Sequence, residues 1–405
     1  MSAPAAAPAA GPAPPGTGRD AIHASSSARR TRDRVEPLLD RFGITRVADL
    51  TGLDEVGVPV HAAYRPGGTT LSVSLGVALD PVRAWVGAVM ESIETWHAEN
   101  LVAPVRRASA DELRPPYDVR SLPLAPGSPL TAATVVDWLP GRGLLTGAAV
   151  PVPRGVVELD FTRDPGRDED WDGVLFAPSS NGTAVGATRV EAELHAVLEV
   201  AERDAGAAFA GEPEDAARHV DPDRTGSPTV AALLRGLRGA GCRVGLRELT
   251  TGAGLPVYAC TVWAADMPVA FTGFGCHLDA ATAVERAMAE AVLCRVGTIS
   301  GARDDLEDEL FAATADAPHP PPEPSALRPL GPSVDVAAPP GDPLAAAAAA
   351  VRLCARRIRA RTGCEPVAVD LTHPGTGIPA VKVVAPGMRM FGDDLGGRRT
   401  GGDRG

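Results

Sequence analysis

The stretch that decides the fold is residues 179–204, which reads SSNGTAVGATRVEAELHAVLEVAERD. It begins as a small, polar, glycine-containing loop and continues as a helix. Thr188, followed three residues later by Glu191, forms a capping-box pattern, so we predict that the helix begins there. On a period of 3.6 residues, one stripe of this helix carries four polar side chains, namely Glu191, His195, Glu199 and Glu202.

A glycine-rich loop that leads into a helix offers free backbone N–H groups to anions. Acidic side chains on the same helix cannot bind phosphate directly, but they can hold Mg²⁺, which prefers oxygen ligands and bridges to phosphates. The stretch therefore predicts a metal–nucleotide site. The chain contains neither a G-x-x-x-x-G-K-[ST] loop nor a G-x-G-x-x-G run after a strand. Phosphate binding would therefore use a different architecture.

Composition limits the class of protein. The 405 residues suffice for two ordinary domains or one large one, and 44% hydrophobic residues can form a sizeable core. A net charge of −12 argues against a nucleic-acid surface and against an anionic membrane. Polyphosphate binding is compatible with this net charge, because arginine side chains and Mg²⁺ can make the electrostatic potential positive locally. No apolar run reaches the roughly 20 residues that span a bilayer, and the proline-rich start MSAPAAAPAAGPAPPG lacks a basic n-region. We expect a cytoplasmic protein.

The cysteines give no sign of a metal site or a disulfide framework. No two of them form a CxxC pair, and their spacing fits no zinc pattern. We expect buried, reduced thiols at all six positions, Cys242, Cys260, Cys276, Cys294, Cys354 and Cys364.

Hydrophobic periodicity and capping residues predict the elements. Helices are expected at 31–42, 80–99, from 188, 228–240, 279–295 and 344–362. Strands are expected at 46–50, 58–64, 70–77, 135–139, 148–152, 156–160, 244–249, 257–263, 269–275, 366–371 and 380–384. Many strands are sequential hairpins mixed with helices, so the predicted class is α+β or mixed α/β.

The domain organisation follows from composition. Residues 1–30 form an Ala/Pro-rich tail that we expect to be disordered. We expect residues 31–390 to form one large folded domain, which includes an acidic surface loop at 164–172 and a Pro/Ala-rich excursion at 313–343. Residues 391–405 form a flexible Gly-rich tail.

Three predicted helices share small apolar residues interrupted by carboxylates three to five apart. They carry Glu91 and Glu94, then Glu199 and Glu202 with Arg203, then Glu285 and Glu290 with Arg286. Taken alone, Glu91 and Glu94 could equally lie on a solvated helix face. The recurrence on three helices predicts one converging acidic site.

The chain resembles the YcaO superfamily in four places. The run SNGTAVGATRVEAELHAVLEVAERDA is similar to its nucleotide motif and MESIETWHAE to its first acidic helix. ERAMAEAVLCRVGTISGARDDL is similar to its third helix, which ends in Gly-x-Arg-Asp-Asp, and GIPAVKVVAPGM to its final strand. The motifs occur in the family's order and span most of residues 44–390. The resemblance implies a YcaO-like fold in which acidic helices converge on a nucleotide site beside β-sheets.

The resemblance also implies an ATP- and Mg²⁺-dependent enzyme that phosphorylates backbone amide oxygens of a precursor peptide, in the biosynthesis of ribosomally derived peptide natural products. Carried over by position, the Mg²⁺ ligands would be Glu91, Glu94, Glu199 and Glu202. The ATP-binding residues would be Ser180, Asn181, Glu191, Arg203, Arg286 and Glu290. No catalytic residue is assigned, and packing on the helix face is the favoured interpretation of His195. A homo-oligomer is compatible with the sequence, and neither nucleic acid nor membrane is an expected partner.

The chain departs from the family at Val77, where a lysine is common, at Gly87, where a small hydroxyl is common, and at Leu293-Cys294, where Gln-Ser is common. It ends in GGRRTGGDRG rather than in a proline-rich tail, and Thr95 replaces a usual arginine. Both features favour the branch that forms thioamides with a TfuA-like partner protein. The alternatives are an azoline-forming cyclodehydratase acting on Cys, Ser or Thr, and a catalytically weakened protein that binds the precursor.

Overall fold

The computed structural model describes residues 28–162, 174–209, 218–250, 252–302, 324, 326–339 and 341–390. Within these residues the helices are α1 (Ala28–Val35), α2 (Pro81–Glu99), α3 (Ala110–Leu113), α4 (Arg189–Phe209), α5 (Pro228–Gly239), α6 (Ala280–Ser300) and α7 (Pro343–Thr362). Each long helix begins where its sequence predicts. Asp80, for example, accepts hydrogen bonds from the N–H groups of Val82 (2.7 Å) and Arg83 (3.2 Å) at the start of α2.

The strands form three antiparallel sheets. The first contains β1 (Arg46–Asp49), β2 (Val60–Tyr64) and β3 (Val73–Val77), in that order. The second has the order β11 (Met267–Cys276), β10 (Val257–Ala264), β9 (Arg243–Glu248) and β8 (Arg218–His219). The third has the order β4 (Arg106–Ser109), β5 (Val135–Gly143), β12 (Val367–Asp370), β13 (Ala380–Val384) and β7 (Thr183–Val185), with β6 (Ala149–Pro153) beside β5. The mixed α/β prediction is confirmed.

Two predicted elements are wrong. The expected helix at 31–42 is a shorter α1 followed by two 3₁₀ turns, Glu36–Leu38 and Asp40–Phe42. Pro37 lies in the first turn, where its ring and missing N–H interrupt an α-helix. The expected strand at 156–160 is absent, because Arg154–Val156 forms a 3₁₀ turn and irregular backbone follows.

Several predictions lie outside the described residues. They are the terminal tails before residue 28 and after residue 390, the whole acidic loop at 164–172, part of the excursion at 313–343, and the Arg-Asp-Asp at 303–305. The proposed domain boundaries therefore stay predictions.

Three apolar clusters hold the helices against the sheets. The first joins α2 to the third sheet and includes Ile93, Trp138 and Val369. The second lies between α4, α7 and the same sheet, and the third joins α5 and α6 to the first and second sheets. Helices α2, α4 and α6 are thereby fixed around one centre. No helix among the described residues is long and apolar enough to cross a membrane.

Strand β3 lies unusually close to α2, because Gly76 has no side chain. A Cβ atom built on Gly76 would lie 2.2 Å from both the Ala84 oxygen and the Ala88 nitrogen. Strand β11 lies equally close to α6, since a Cβ on Gly275 would be 2.1 Å from the Ala283 oxygen. Because of these contacts, the backbone of each helix packs directly against the backbone of the strand that precedes it.

No disulfide joins the six cysteines, and four of them are buried as expected. Cys294 and Cys364 differ from the expectation, since both are half-buried.

Candidate nucleotide and metal site

The carboxylates of α2 are held by backbone N–H groups. Leu75, on the adjacent strand β3, donates its N–H to Glu91 Oε2 at 3.0 Å. Glu94 accepts a hydrogen bond from the backbone of Val185, which lies on β7 in a different sheet. The side chain of Glu91 remains exposed, whereas that of Glu94 points inward and is half-buried. The two glutamates therefore do not share a solvated face.

The carboxylates of α4 have the same kind of partner. Gly182 donates its N–H to Glu199 Oε2 at 3.3 Å, and Cys276 donates its N–H to Glu202 Oε2 at 2.8 Å. On α6, Glu290 accepts from the N–H of Phe274. Backbone N–H groups fix the direction of each carboxylate more firmly than flexible side chains would, because the donors belong to strands β3 and β11 or, for Gly182, to the turn just before β7.

The five carboxylates act on one another electrostatically. Burial, followed by repulsion from Glu199 and Glu91, raises the pKa of Glu94 well above its usual range. Burial, and then the charge of Glu290, raises the pKa of Glu202 to about 8. Burial also raises the pKa of Glu199. The structure thus brings together carboxylates from α2, α4 and α6, as the sequence predicts.

Three cationic side chains act on this cluster, and one of them is absent from the sequence prediction. Lys382 on β13 is buried, with its Nζ donating to the Ser179 oxygen and, at 3.3 Å, to Thr183 Oγ1. Burial lowers its pKa to about 8, against the opposing charges of Glu199 and Glu94. A signal was present in the sequence, because Lys382 interrupts an otherwise apolar strand, AVKVV.

Arg203 and Arg286 are the other two cations. Arg203 Nε lies 3.8 Å from Glu199 Oε1, and the pKa of Arg203 is raised because Glu199, Glu290 and Glu202 together outweigh its burial. Arg286 acts on Glu202, opposing the rise in the pKa of that carboxyl. Five carboxylates therefore face three cations, and burial together with mutual repulsion disfavours the ionisation of all five carboxylates at once.

This donor set suits Mg²⁺. Oxygen ligands are those that Mg²⁺ prefers, and buried carboxylates that repel one another are stabilised by a divalent cation. The side chain of Glu199 keeps 25% of its surface exposed, so an ion can reach it. Among the described residues, no three His, Cys, Asp or Glu side chains already form a ligand set. Carboxylates of this cluster would hold Mg²⁺, which in proteins commonly also binds substrate phosphates and supplies positive charge to them.

A cavity of about 830 Å³ opens beside Arg286, one of the three cations that act on the cluster. Its walls come from the end of β3, the start of α2, and helices α4, α5 and α6. The polar and charged side chains among its lining residues are Asp80, Arg83, His195, Thr229, His277, Asp279, Thr282, Glu285 and Arg286. His195 is half-buried on this wall rather than packed in the core. The cavity is large enough for a nucleotide, and Arg286 gives it a cationic side.

The remaining predicted ATP-binding residues lie apart from this cavity. Glu191 is held in the capping box, where it accepts the Thr188 N–H at 3.2 Å and the Glu191 N–H bonds Thr188 Oγ1 at 3.3 Å. Ser180 is exposed. Asn181 lines a small crevice with Lys382, and its buried Oδ1 has no hydrogen-bond partner among the described residues. An unsatisfied buried amide oxygen is costly, so Asn181 is the better candidate of the two loop residues for a ligand contact.

Comparison with known proteins agrees with this geometry. Residues 75–389 match the family model described as YcaO cyclodehydratase, ATP- and Mg²⁺-binding. An uncharacterized protein of Mycobacterium tuberculosis is 37% identical over 383 residues, covering 91% of this chain and 83% of the relative. An uncharacterized protein encoded in the tfuA 3′ region of Rhizobium leguminosarum bv. trifolii is 31% identical over 293 residues, covering 68% and 67%.

The fold is also found among solved structures. The YcaO protein of Methanopyrus kandleri, bound with AMPPCP and Mg²⁺, superposes with a TM-score of 0.67 at 20% identity, covering 92% of this chain and 93% of that one. At this identity the likeness establishes the fold. The extent of the family match and the identity to the mycobacterial relative establish the family. The chain belongs to the YcaO family and is an ATP-dependent, peptide-modifying enzyme whose cofactors are ATP and Mg²⁺.

Proposed function

We propose that this enzyme phosphorylates the oxygen of a backbone amide in a precursor peptide and thereby forms a thioamide, working with a TfuA-like partner. The observation that carries the proposal is the convergence of carboxylates from α2, α4 and α6 beside a cavity with a cationic side. The relative encoded in a tfuA 3′ region supports the choice of branch.

The chemistry explains why such a site is needed. An amide oxygen is a poor leaving group, and phosphorylation makes it a good one once a nucleophile has added to the carbonyl carbon. Bound Mg²⁺ would offset the charge that develops on the transferred phosphoryl group. In our proposal five carboxylates would hold and orient the Mg²⁺, namely Glu91, Glu94, Glu199, Glu202 and Glu290. Arg203 and Arg286 contact phosphate oxygens.

The test is a reconstitution. The enzyme, a TfuA-like partner, the precursor peptide, Mg-ATP and sulfide are incubated together, and the peptide is weighed by mass spectrometry. We expect the mass gain that corresponds to replacement of one oxygen by sulfur, dependent on ATP and abolished in Glu199→Gln. An unchanged peptide mass alongside an active control enzyme would refute the proposal.

A second candidate function is azoline formation, which the family description as a cyclodehydratase favours. The nucleophile would then be a Cys, Ser or Thr side chain of the peptide itself. Loss of one water mass from the peptide without sulfide or partner would favour this reaction over thioamide formation.

A further inference from the structure

A small crevice lies between strand β13 and the loop that leads into β7. Its volume is about 30 Å³, which holds one or two molecules of the size of water and is too small for a nucleotide. Its walls come mainly from the loop at 177–181, from β13 with the residues that follow it, and from Val200 on α4. The crevice shares no lining residue with the 830 Å³ cavity, so the two are separate sites.

The charges of this crevice are opposite to those of the carboxylate cluster. Two cations line it, namely Lys382, which is 3% exposed, and Arg389, which is exposed. None of its lining residues, within the part of the chain that the structure describes, is acidic. The whole chain, by contrast, has a net charge of −12. A crevice with cations and no carboxylate attracts a small anion.

Two polar groups in the crevice have unused hydrogen-bonding capacity. The ammonium group of Lys382 has three N–H donors, and it uses two of them, on the Ser179 oxygen and on Thr183 Oγ1. The third has no acceptor among the residues that the structure describes. Asn181 Oδ1 is buried and lacks a donor within the same residues. A molecule that accepts a hydrogen bond from Lys382 and donates one to Asn181 would satisfy both groups.

The other walls of the crevice are mostly apolar and include two thioethers, since Val200, Met388 and Met390 line it. Chloride would leave Asn181 Oδ1 without a donor, and water carries no charge to pair with Lys382. Hydrosulfide, HS⁻, is a small, polarisable monoanion with one S–H donor. It therefore suits the charge, the hydrogen-bonding groups and the walls of the crevice.

The crevice adjoins the carboxylate cluster. Lys382 acts electrostatically on Glu94 and Glu199. Gly182, the residue after Asn181, donates its N–H to Glu199. The ammonium group of Lys382 offsets the charge of these carboxylates, which would otherwise repel an anion. An anion in the crevice would thus lie close to the expected place of Mg-ATP.

We infer that this crevice is the subsite for the sulfur nucleophile, in which hydrosulfide accepts a hydrogen bond from Lys382 and donates one to Asn181 Oδ1. The inference rests on the proposed function and deepens it, because it gives a place to the sulfur that replaces the amide oxygen. It also gives Asn181 Oδ1 a partner other than the ATP that the family resemblance implies.

The reaction balances without a further reactant. The sulfur of HS⁻ forms a bond to the amide carbon, and the carbonyl electron pair moves to the oxygen. That oxygen takes the terminal phosphoryl group of ATP, and ADP is released. The carbon–oxygen bond then breaks, and the oxygen leaves as hydrogen phosphate with the proton that hydrosulfide brought. One hydrosulfide and one ATP are consumed for each thioamide.

The first test fills the crevice. Ala385 is buried and lines it, so the larger side chain in Ala385→Leu would take the place of the ligand. In the reconstitution the KM for sulfide should rise about tenfold or more, because the ligand loses its hydrogen bonds. The KM for ATP should not change. The matched control is Ala360→Leu, the same change at an exposed position on α7, and it should alter neither constant.

The second test observes the anion directly and covers the case in which Ala385→Leu fails to fold. Bromide is a monoanion of similar size, and its anomalous X-ray scattering identifies it in a crystal. In crystals of the wild type soaked in sodium bromide, an anomalous peak should lie beside Lys382 Nζ. The peak should be absent in Lys382→Met and present in Lys382→Arg, which keeps the positive charge.

The outcomes separate the inference from the proposed function. If the wild type forms the thioamide, the inference alone is overturned by an unchanged KM for sulfide in Ala385→Leu, or by water in place of bromide in the crevice. A rise in the KM for ATP without a rise in that for sulfide also overturns it, since Asn181 then serves the nucleotide. If the wild type binds bromide beside Lys382 but forms no thioamide, the anion site stands and the proposed function falls.

Discussion

Helix α2 carries two inward-pointing glutamates, Glu94 and Glu99, that are stabilised in opposite ways. Glu99 binds Arg65 through both carboxylate oxygens, one of them at 2.6 Å, and also accepts the Thr70 N–H at 3.1 Å. The Arg65 and Glu99 side chains are 4% and 3% exposed. Glu94, little more than one turn away, has a backbone donor but is repelled by Glu199 and Glu91.

The difference separates structural charges from functional ones. Glu99 and Arg65 neutralise each other, as do Arg295 and Asp54, whose atoms lie 3.0 Å apart with side chains 1% and 3% exposed. Breaking such a pair leaves an isolated charge in the core. Glu94 belongs to a cluster in which carboxylates outnumber cations, so its ionisation is costly in the free protein and becomes less costly when a cation binds. We expect substitutions at the two kinds of site to change stability in opposite directions.

Arg65→Met should have the largest effect on stability. It keeps most of the side-chain volume but leaves Glu99 without its cation, so the free energy of unfolding should fall by about 3–5 kcal/mol. Denaturant unfolding monitored by circular dichroism measures the loss. The control is Arg46→Met, the same change at an exposed position. A loss no larger than in this control would contradict the structural role of the pair.

His97 adds a third case, a buried titratable group that stays neutral. Burial lowers its pKa to about 4 from the usual 6.5. The unfolded chain therefore binds a proton that the folded chain does not. The part of the unfolding free energy that is linked to His97 protonation amounts to about 3 kcal/mol. It is fully present above pH 6.5 and is lost as the pH falls toward 4. The slope of unfolding free energy against pH in this window should decrease in His97→Gln. An unchanged slope would mean that His97 is protonated in the fold.

Gly76→Ala tests the geometry that holds Glu91 on its donor. The added methyl group has no space between β3 and α2, so the two elements must separate. We expect a loss of about 1–3 kcal/mol in unfolding free energy together with weaker binding of Mg²⁺ and nucleotide. Gly52→Ala is the matched control, because a Cβ there meets nothing within 4 Å. Equal stability and affinity in the two variants would show that the close contact is dispensable.

Glu94→Gln should have the smallest effect, and the opposite sign. Because burial and neighbouring carboxylates raise the pKa of Glu94, ionisation above its usual pKa costs stability that the neutral amide does not. In metal-free buffer at pH 8 the variant should be more stable than the wild type by about 1 kcal/mol. Its stabilisation by Mg-ATP in thermal unfolding should disappear. Glu99→Gln, the same change beside Arg65, should destabilise. If Glu94→Gln and Glu99→Gln both destabilise the protein, the proposed difference between structural and functional charges is wrong.

Local sequence patterns predict the spacing of the site's carboxylates and the start of the helices that carry them. The spacing of Glu91 and Glu94, and of Glu199 and Glu202, follows from helical periodicity, and Asp80 and Thr188 fix where those helices begin. Convergence of the helices is inferred from recurrence and from the family resemblance. Local patterns cannot say which strand receives each carboxylate, because the bonds from Val185 to Glu94 and from Cys276 to Glu202 join segments far apart in the chain.

The remaining errors have similar physical origins. The sequence does not indicate a role for Lys382, because a strand pattern gives no measure of burial and the electrostatic environment of Lys382 depends on Glu94 and Glu199 from other elements. The strand expected at 156–160 was wrong, since a short apolar run fits several backbone conformations. All the assigned roles in Mg²⁺ and ATP binding stay predictions, for Glu91, Glu94, Glu199 and Glu202 as metal ligands and for Ser180, Asn181, Glu191, Arg203, Arg286 and Glu290 at the nucleotide.

The glycines that bring β3 against α2 and β11 against α6 have a mechanical consequence. With backbone packed on backbone, neither helix can slide or tilt on its strand without a steric clash, so each pair moves as a rigid body. Any rearrangement of the site on ligand binding would then move one strand–helix unit relative to the other, rather than shift a helix along its own strand.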